Sequence, residues 1–551
     1  MTTAADTTAL GELAADYWSA WLERHPVAAT ALGDRRFDDR LPDDSAAARD
    51  VWRAQLDAFS RRLGETAPDG DPVTHATLHD ALETDRAFLD ADLGAFNVDP
   101  MDGPQVELMG IPSYQPIRSA EEADALIARW RAMPAFLDLA SDRLRAGAAE
   151  GRIGVAMLCA KVTEQLDELL AQPDADWPLA EPAKARPELR LPLLAVIRDE
   201  IRPAFQRYRA TLVDEIAPRA RPDERPGLSH VSGGSEAYGR LARAHTSIDT
   251  SPDELHAIGL EEIRRIDAEF VELGARRLGT DGLAATLKAL REDPALHFTT
   301  REEVAAVAKA SLDRANSAIG EWFGRLPKAP CEVVVTPAHE EKHSTIAYYR
   351  EPAADGSRPG RYYINTHAPE TRPRYEAETL AFHESVPGHH LQIAIAQELD
   401  HLPAFRRFWG STAYVEGWGL YTERLSEEMG LLTGDLDRFG VLSFDAWRAS
   451  RLVVDTGIHA LGWSRQAAID YMTKHTALGL NNIGNEVDRY IAYPGQALAY
   501  KVGQLELLRL RAEARVRQGD RFDIRRFHDV VLGEGALPLP VLRQVVERSL
   551  A

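Results

Sequence analysis

Apolar residues recur every three or four positions along most of this chain, with charged residues between them. Near the beginning, Leu13, Tyr17 and Trp21 show the pattern, because residues at this spacing share one face of a helix. Ser119 and Thr299 each precede acidic residues, so each is predicted to cap the helix that follows. The spacing predicts a mostly α-helical protein, with helices at residues 10–22, 52–63, 75–93 and 119–146.

The pattern changes near residue 330, where short β-branched and aromatic runs predict strands at residues 331–336, 345–349 and 361–366. The turn-rich stretch between the last two runs indicates a hairpin. Because the hairpin ends shortly before the segment that carries His383, we expect a small sheet beside that segment. An exposed strand there would either bind an extended peptide or only cover the helix.

The charge of the chain narrows the choice of partners. The 551 residues include 64 Lys and Arg against 86 Asp and Glu, which gives a formal net charge of −22. This charge argues against nucleic acid or an anionic membrane as the main partner, since both are themselves negative. Two cysteines, Cys159 and Cys331, are too few for a disulfide framework. With no signal-peptide pattern and no run of roughly 20 apolar residues, a cytoplasmic location away from membranes is expected.

Residues 381–392 read Ala-Phe-His-Glu-Ser-Val-Pro-Gly-His-His-Leu-Gln. His383 and the glutamate after it begin like the zinc motif His-Glu-x-x-His, in which two imidazoles one helical turn apart bind the metal. The position of the second histidine is occupied by Pro387, which cannot bind a metal. A kink at the Pro-Gly pair would bring a later histidine back towards the first. His389 is the preferred second ligand and His390 is the alternative.

Glu416 is the predicted third ligand. It belongs to a predicted helix at residues 414–424, in which Gly417 and Gly419 each cost roughly 1 kcal/mol relative to alanine. The glycines indicate that another part of the chain packs closely on this helix. Two imidazoles and one carboxylate, with a position left for water, form a common catalytic zinc site. The sequence therefore predicts one Zn²⁺ per chain, with Glu384 as the general base that takes a proton from water.

Four ordered motifs resemble those of the DUF885 family. They are His-Glu-Ser-Val-Pro-Gly-His-His-Leu-Gln at 383–392, Tyr-Val-Glu-Gly-Trp-Gly-Leu-Tyr at 414–421, Val-Asp-Thr-Gly-Ile-His-Ala-Leu-Gly-Trp at 454–463 and Tyr-Pro-Gly-Gln-Ala-Leu-Ala-Tyr-Lys at 493–501. That family is grouped with zinc metallopeptidases of the gluzincin type. The resemblance implies His383 and Glu416 as metal ligands and Glu384 as general base.

The resemblance also implies a fold, namely a large helical zincin-like body similar to thimet oligopeptidase or carboxypeptidase Taq, with a deep cleft. In this arrangement residues 1–330 form a helical half and one wall of the cleft. Residues 331–551 form the metal-bearing catalytic half, with the small sheet beside the metal helix.

The last two motifs supply further candidate residues for catalysis. His459 follows Asp455 by one turn of a helix predicted at residues 435–460, and the pair could orient an imidazole towards an oxyanion. The resemblance makes Tyr493 or Tyr500 the other candidate donor.

Substrate-binding and supporting residues are predicted near the same motifs. Arg489 is a candidate for a bidentate contact with a substrate carboxylate, and Gln496 and Lys501 are expected to bind substrate close to it. Glu376, seven residues before the first ligand, is a candidate acceptor for a ligand imidazole. His339, His343, His367 and His475 are interpreted as surface or packing residues.

The predicted function is zinc-dependent hydrolysis of an amide or peptide bond in a small peptide or a small-molecule amide. One alternative is the same metal chemistry on a small amide or ester of secondary metabolism. The other is a degenerate zincin without catalysis, whose helical body is a binding scaffold. The sequence leaves the substrate and the oligomeric state open.

Overall fold

The first half of the chain is built from helices, including all four predicted from the apolar spacing. The computed structural model describes residues 8–551 except 69, 338–340, 342–344, 354–355 and 357. The helices of this half are α1 (Ala9–Arg24), α2 (Pro26–Ala31), α3 (Ala46–Glu65), α4 (Pro72–Ala91), α5 (Pro104–Gly110), α6 (Ala120–Ala149), α7 (Ala156–Ala171), α8 (Pro182–Ala185), α9 (Arg190–Val196), α10 (Arg202–Ala210), α11 (Gly234–Thr246), α12 (Pro252–Arg277), α13 (Gly282–Glu292) and α14 (Arg301–Ala318).

The predicted helix caps are accurate to within one residue. The Ser119 hydroxyl accepts a hydrogen bond from the Glu122 amide at 3.2 Å and begins α6 as expected. The cap predicted at Thr299 is wrong by one position, because Thr300 caps α14 and forms a reciprocal capping box with Glu303. Thr299 instead donates its hydroxyl hydrogen to the same carboxylate at 2.9 Å.

Three short strands form a sheet: β1 (Cys331–Val335), β2 (Ala347–Arg350) and β3 (Gly360–Ile364). The strand order is β1-β3-β2, with β3 parallel to β1 and antiparallel to β2. Tyr362 of β3 is opposite Val333 on one side and Tyr349 on the other. The predicted hairpin of β2 and β3 is therefore confirmed, and β1 pairs with β3 on the other side.

The second half contains the remaining helices around one central helix. They are α15 (Ala377–Glu384), α16 (His389–Gln397), α17 (Ala404–Phe408), α18 (Thr412–Glu428), α19 (Arg438–His459), α20 (Arg465–His475), α21 (Leu480–Ala492), α22 (Ala499–Gln518), α23 (Ile524–Leu532) and α24 (Leu539–Ser549). Every residue of α19 from Phe439 to His459 is buried, so this helix is surrounded by the others on all faces.

Contacts cross the predicted boundary at residue 330. The Phe270 ring of α12 stacks on Phe439 of α19 with centroids 6.4 Å apart, and the Tyr238 hydroxyl of α11 donates to Asp455 at 2.6 Å. The division into two halves stays a prediction. Among the described helices, none is long and apolar enough to cross a membrane.

Candidate metal centre

The histidine-rich segment forms two helices separated by a four-residue turn. α15 ends at Glu384 and α16 begins at His389, with a cis peptide bond between Val386 and Pro387. A Cβ atom at Gly388 would lie 1.9 Å from the carbonyl oxygen five residues earlier, so only glycine fits at this point of the turn. The two candidate ligands therefore belong to different helices.

The turn places two imidazoles side by side and near a carboxylate. The ring centroids of His383 and His389 are 4.6 Å apart with the planes at 85°. Glu416 Oε2 lies 3.6 Å from His389 Nε2, and one ligand atom from each of the three residues lies within 4.8 Å of the others. Two atoms bound to one tetrahedral zinc at about 2.0–2.1 Å are separated by about 3.4 Å. The group could therefore bind a metal ion.

The two glycines of α18 allow this close arrangement. A Cβ atom at Gly419 would lie 2.7 Å from Cε1 of the His383 ring. A Cβ atom at Gly417 would lie 2.4 Å from Cα of Gly503 on α22. The predicted close packing on this helix is confirmed, since one glycine admits the ligand imidazole and the other admits a neighbouring helix.

His390, the alternative second ligand, lies outside the group. Its Nε2–H donates to the carbonyl of Ala329 at 3.0 Å, and its Nδ1 accepts from the Tyr349 hydroxyl at 2.9 Å. Both ring nitrogens are thus used to attach α16 to the sheet. The structure corrects this prediction because the new helix that starts at His389 directs consecutive side chains about 100° apart.

Glu423 was not predicted from the sequence, yet it contacts the candidate ligand His383 directly. Its Oε1 accepts a hydrogen bond from His383 Nδ1 at 2.7 Å, with both side chains buried. This bond fixes the tautomer and leaves Nε2 of His383 free for a metal. The signal for it was present, because Glu423 follows Glu416 by seven residues and shares its face of α18.

Glu376, which we expected in that supporting role, is used elsewhere. Its carboxylate accepts a hydrogen bond from the Ser443 hydroxyl at 2.6 Å. Glu423, not Glu376, is the carboxylate that accepts the hydrogen bond from the His383 imidazole. Burial lowers the pKa of His383 to about 3, assisted by the charge of Arg448, so the ring is neutral and in the metal-binding form.

Glu384 is half-buried beside the ligands. Burial raises its pKa to about 7; the charge of His389 lowers the pKa and that of Glu416 raises it. Burial raises the pKa of Tyr362 in β3, and the charge of the nearby Glu384 raises the Tyr362 pKa further. The Tyr362 hydroxyl is buried and has no hydrogen-bond partner within the described residues. The predicted position of the sheet, next to the metal helix, is confirmed by this neighbour.

Arg448 of α19 is a second residue that the sequence did not reveal. Its Nη2 lies 3.8 Å from Glu423 Oε1, and its guanidinium packs 4.1 Å from the ring centre of Trp447. Nε and Nη1 of Arg448 are buried, and across the described parts of the chain they have no hydrogen-bond partner. Two donors and a positive charge are thus available beside the candidate ligands.

Comparison with known proteins agrees with these motifs. The family model described as a bacterial protein of unknown function (DUF885) matches residues 26–546. The chain belongs to the DUF885 family. No protein of curated function matches it.

Two solved structures share the fold of this DUF885 protein. A protein of Colwellia psychrerythraea, provisionally described as a lipoprotein, is 28% identical with a TM-score of 0.92 and covers 98% of this chain and 99% of its own. A protein of Shewanella oneidensis, provisionally described as a lipoprotein of unknown function, is 18% identical with a TM-score of 0.76. The match covers 98% of this chain and 100% of that protein. A provisionally assigned oligoendopeptidase F of Bacillus anthracis is 12% identical with a TM-score of 0.35, and the match covers 90% of this chain and 95% of that protein.

His459 cannot act as the oxyanion donor in this DUF885 structure, which corrects that prediction. Its Nδ1 accepts from the Leu228 amide at 3.2 Å, and its Nε2–H donates to the carbonyl of Tyr490 at 2.9 Å. Asp455 does not orient it, because that carboxylate accepts from Tyr238 and from the Gly495 amide. The histidine joins three segments of the core.

Lys501 is likewise structural rather than substrate-binding. Its fully buried Nζ lies 2.6 Å from Asp445, 2.8 Å from Gln504 and 2.9 Å from Glu262. These three oxygens use all three ammonium hydrogens. The prediction was wrong because the sequence did not show the two carboxylates that other helices place around this position.

The other predicted residues are Arg489, Gln496, Tyr493 and Tyr500. Arg489 donates to Gln496 at 2.7 Å, and the Tyr500 ring lies 4.4 Å below the guanidinium carbon of Arg451. Tyr493 packs edge-to-face on His245 at 5.3 Å. The substrate-binding and catalytic roles of Arg489, Gln496, Tyr493 and Tyr500 stay predictions.

The remaining histidines have ordinary surroundings where the structure describes them. His475 Nδ1 donates to Asp267 at 2.8 Å, and His367 is partly exposed near Glu341. Their interpretation as packing or surface residues agrees with these contacts. His339 and His343 lie outside the described residues.

Proposed function

We propose that this DUF885 protein is a zinc-dependent hydrolase that cleaves an amide bond in a small peptide or small-molecule amide. The observation that carries the proposal is the convergence of His383, His389 and Glu416, with Glu384 beside them. Two imidazoles and one carboxylate are the donors of many catalytic zinc sites. The bond from His383 to Glu423 supports the same conclusion, because a carboxylate behind a ligand histidine is typical of such sites.

The protein residues have distinct parts in the proposed reaction. A bound zinc ion would polarise the scissile carbonyl and lower the pKa of the attacking water. Glu384 accepts the proton of that water and then donates it to the leaving nitrogen. The free N–H groups of Arg448 donate to a substrate oxygen that carries negative charge, which is the part first assigned to His459.

The metal is tested first by elemental analysis of the purified protein. We expect about one zinc per chain, removable by a chelator and restored by added zinc. A protein that binds no divalent metal after supplementation would contradict the proposal and favour the scaffold alternative.

The general base is tested with two matched glutamate substitutions. Glu384→Gln should keep the zinc and lower kcat by at least 10²-fold, because general-base catalysis contributes about 10²–10⁴-fold. Glu376→Gln replaces another glutamate of raised pKa outside the group and should keep kcat within a fewfold. Activity is measured on blocked peptides and N-acyl amino acids, which also separates peptide from small-molecule substrates. Equal activity of the two variants would remove Glu384 from the mechanism.

A further inference from the structure

A cavity of about 580 Å³ lies between the N-terminal helices and the start of α18. Its walls are strongly aromatic and include Trp18, Trp21, Trp52, Phe88, Trp409 and Tyr493. The volume is in the range of sites for small molecules. We call it the aromatic cavity.

Several buried polar atoms of the residues that line the aromatic cavity lack partners within the described residues. They are Nε of Arg49, Nε of Arg143, both ring nitrogens of His245, and the hydroxyls of Thr84 and Ser411, all buried and unpaired within the described residues. His245 and Ser411 are only 2% and 3% exposed. An unpaired buried polar group costs roughly 1–3 kcal/mol, so six such atoms around one space indicate a missing partner there.

The unpaired atoms are mostly hydrogen-bond donors. The lining carboxylates are already bonded, since Asp92 pairs with Arg49 at 2.5 Å and with Arg143 at 2.6 Å, and Asp44 pairs with Arg143 at 2.8 Å. Asp85 accepts from the Tyr17 hydroxyl at 2.9 Å. The partner that fits these atoms is therefore an acceptor, such as a carboxylate or carbonyl oxygen.

The balance of charge favours an anion. Three arginines and three aspartates line the aromatic cavity. Burial raises the pKa of Asp85 to about 7, so near neutral pH this carboxyl is partly protonated and the arginine charges are in excess. The N-terminus of α18 adds to this, because Ser411 and Thr412 line the cavity, Ser411 makes no side-chain capping bond, and the positive end of the helix dipole lies there.

We propose that the aromatic cavity is a binding site for an aromatic carboxylic acid, with the ring against the tryptophans and the carboxylate on the arginine and hydroxyl donors. The site goes beyond the hydrolase proposal and does not depend on it. The cavity nonetheless lies close to the candidate metal centre. Thr412 lines the cavity, and Glu416 follows it by one helical turn, or about 6 Å along α18.

3-Phenylpropanoic acid, which has no amide bond for the proposed hydrolase to cleave, is a suitable probe, with binding measured by calorimetry on the whole protein. We expect binding that is at least tenfold weaker for 4-methylpentanoic acid, which lacks the ring, and for 3-phenylpropan-1-ol, which lacks the carboxylate. The measurement is repeated on zinc-supplied and chelator-treated protein. Affinity should be the same in both, whereas binding lost with the metal would assign the probe to the metal centre and overturn the proposal.

Two matched pairs of variants locate the probe. Arg49→Gln should weaken binding at least tenfold, since a charged hydrogen bond contributes about 1.5–3 kcal/mol, while Arg53→Gln on the same helix should leave it unchanged. Arg53 pairs with Asp90 and lies outside the cavity lining.

Thr84→Val should weaken binding about three- to tenfold, and Thr77→Val, about two helical turns earlier in α4 and outside the cavity lining, should not. The Thr77 hydroxyl already donates to the Val73 carbonyl at 2.7 Å. Circular dichroism checks that all four variants are folded. No binding by the wild type at millimolar probe, or binding that neither Arg49→Gln nor Thr84→Val weakens, would show that the unpaired atoms are served by water alone.

Discussion

At the scale of single residues, the use of each ring nitrogen distinguishes the three histidines at positions 383, 389 and 390. His383 has Nδ1 occupied by Glu423 and Nε2 free, while both nitrogens of His390 are occupied. Nδ1 of His389 is buried without a partner in the described structure, and its Nε2 faces Glu416. Only His383 and His389 therefore have a nitrogen to offer to a metal.

His389→Ala and His390→Ala should separate these roles. The first variant should lose nearly all bound zinc, because one of three ligands is removed. The second should keep about one zinc per chain and be less stable by about 1–3 kcal/mol, since it leaves buried polar partners unpaired. Zinc content and urea unfolding of both variants check this, and equal zinc loss in both would reject the assignment.

Glu486 provides a pH-dependent test at a single residue. Burial by itself raises its pKa, but Arg451 at 2.8 Å, Arg489 and the Tyr490 hydroxyl at 2.6 Å lower it from 4.5 to about 2. A lowered carboxyl pKa stabilises the folded state above pH 4.5, and this contribution disappears as the pH falls towards 2.

We expect the unfolding free energy of Glu486→Gln to be about 3 kcal/mol below that of wild type at pH 7. The difference should be constant down to about pH 5 and shrink below pH 4.5. Urea titrations of both proteins between pH 3 and pH 7 measure it. A difference that does not change with pH would mean that the charge of Glu486 is unimportant.

The sequence led to His383, Glu384, His389 and Glu416 because motif spacing reports on nearby positions. Glu423 shares a helix face with Glu416, which was a local signal, but its contact with His383 depends on how α15 and α18 pack together, and the position of Arg448 depends on the packing of α19. His459 and Lys501 were assigned wrongly for the same reason, as their partners are distant in the chain.

At the scale of elements, α18 is fixed by its contact with α22. A Cβ atom at Gly503 would lie 1.8 Å from the Ala413 carbonyl oxygen and 2.7 Å from Gly417 Cα. Both are backbone atoms, so no side-chain rotation relieves the overlap.

Gly503→Ala should therefore lower the free energy of unfolding by about 3 kcal/mol or more, because the helices must separate. The control is Gly239→Ala in α11, where an added Cβ meets nothing within 4 Å. It should stabilise the protein by about 0.5–1 kcal/mol through helix propensity. Thermal unfolding compares them, and similar melting temperatures would contradict the packing argument.

The helices and strands were predictable because their apolar periods are local. The turn at residues 385–388 was only partly predictable. Pro387 and Gly388 indicated a break, but the choice between His389 and His390 depends on where the next helix begins, and ideal helical geometry does not extend across a break.

At the scale of the whole molecule, buried charges connect the two predicted halves. Lys501 of α22 bonds Glu262 of α12 and Asp445 of α19 with no exposure to solvent. Lys501→Met should destabilise the protein by about 1.5–3 kcal/mol, because it removes charged hydrogen bonds to both carboxylates while Arg424 and Arg265 still pair with Asp445. Urea unfolding measures this.

The control is Lys309→Met, which removes an exposed pair with Asp313 and should change stability by less than 1 kcal/mol. A small effect at Lys501 would show that the halves are held together without this cluster.

The division at residue 330 remains a prediction at this scale. α19 is buried on every face, and helices from both sides of the boundary cover it. Sequence alone could not show this, because a helix that carries Asp445, Arg448, Arg451 and Asp455 does not have the composition of a core helix.

The glycine contact between α18 and α22 has a mechanical consequence. The backbones of the two helices are in direct contact at Gly417 and Gly503. Rotation or sliding of α18 against α22 would force these two residues apart. Glu416 is thereby held at a set height and angle by residues that contain no ligand atom. The position of Glu416 is therefore fixed by a contact on the side of α18 that faces away from the His383 imidazole, which packs against Gly419.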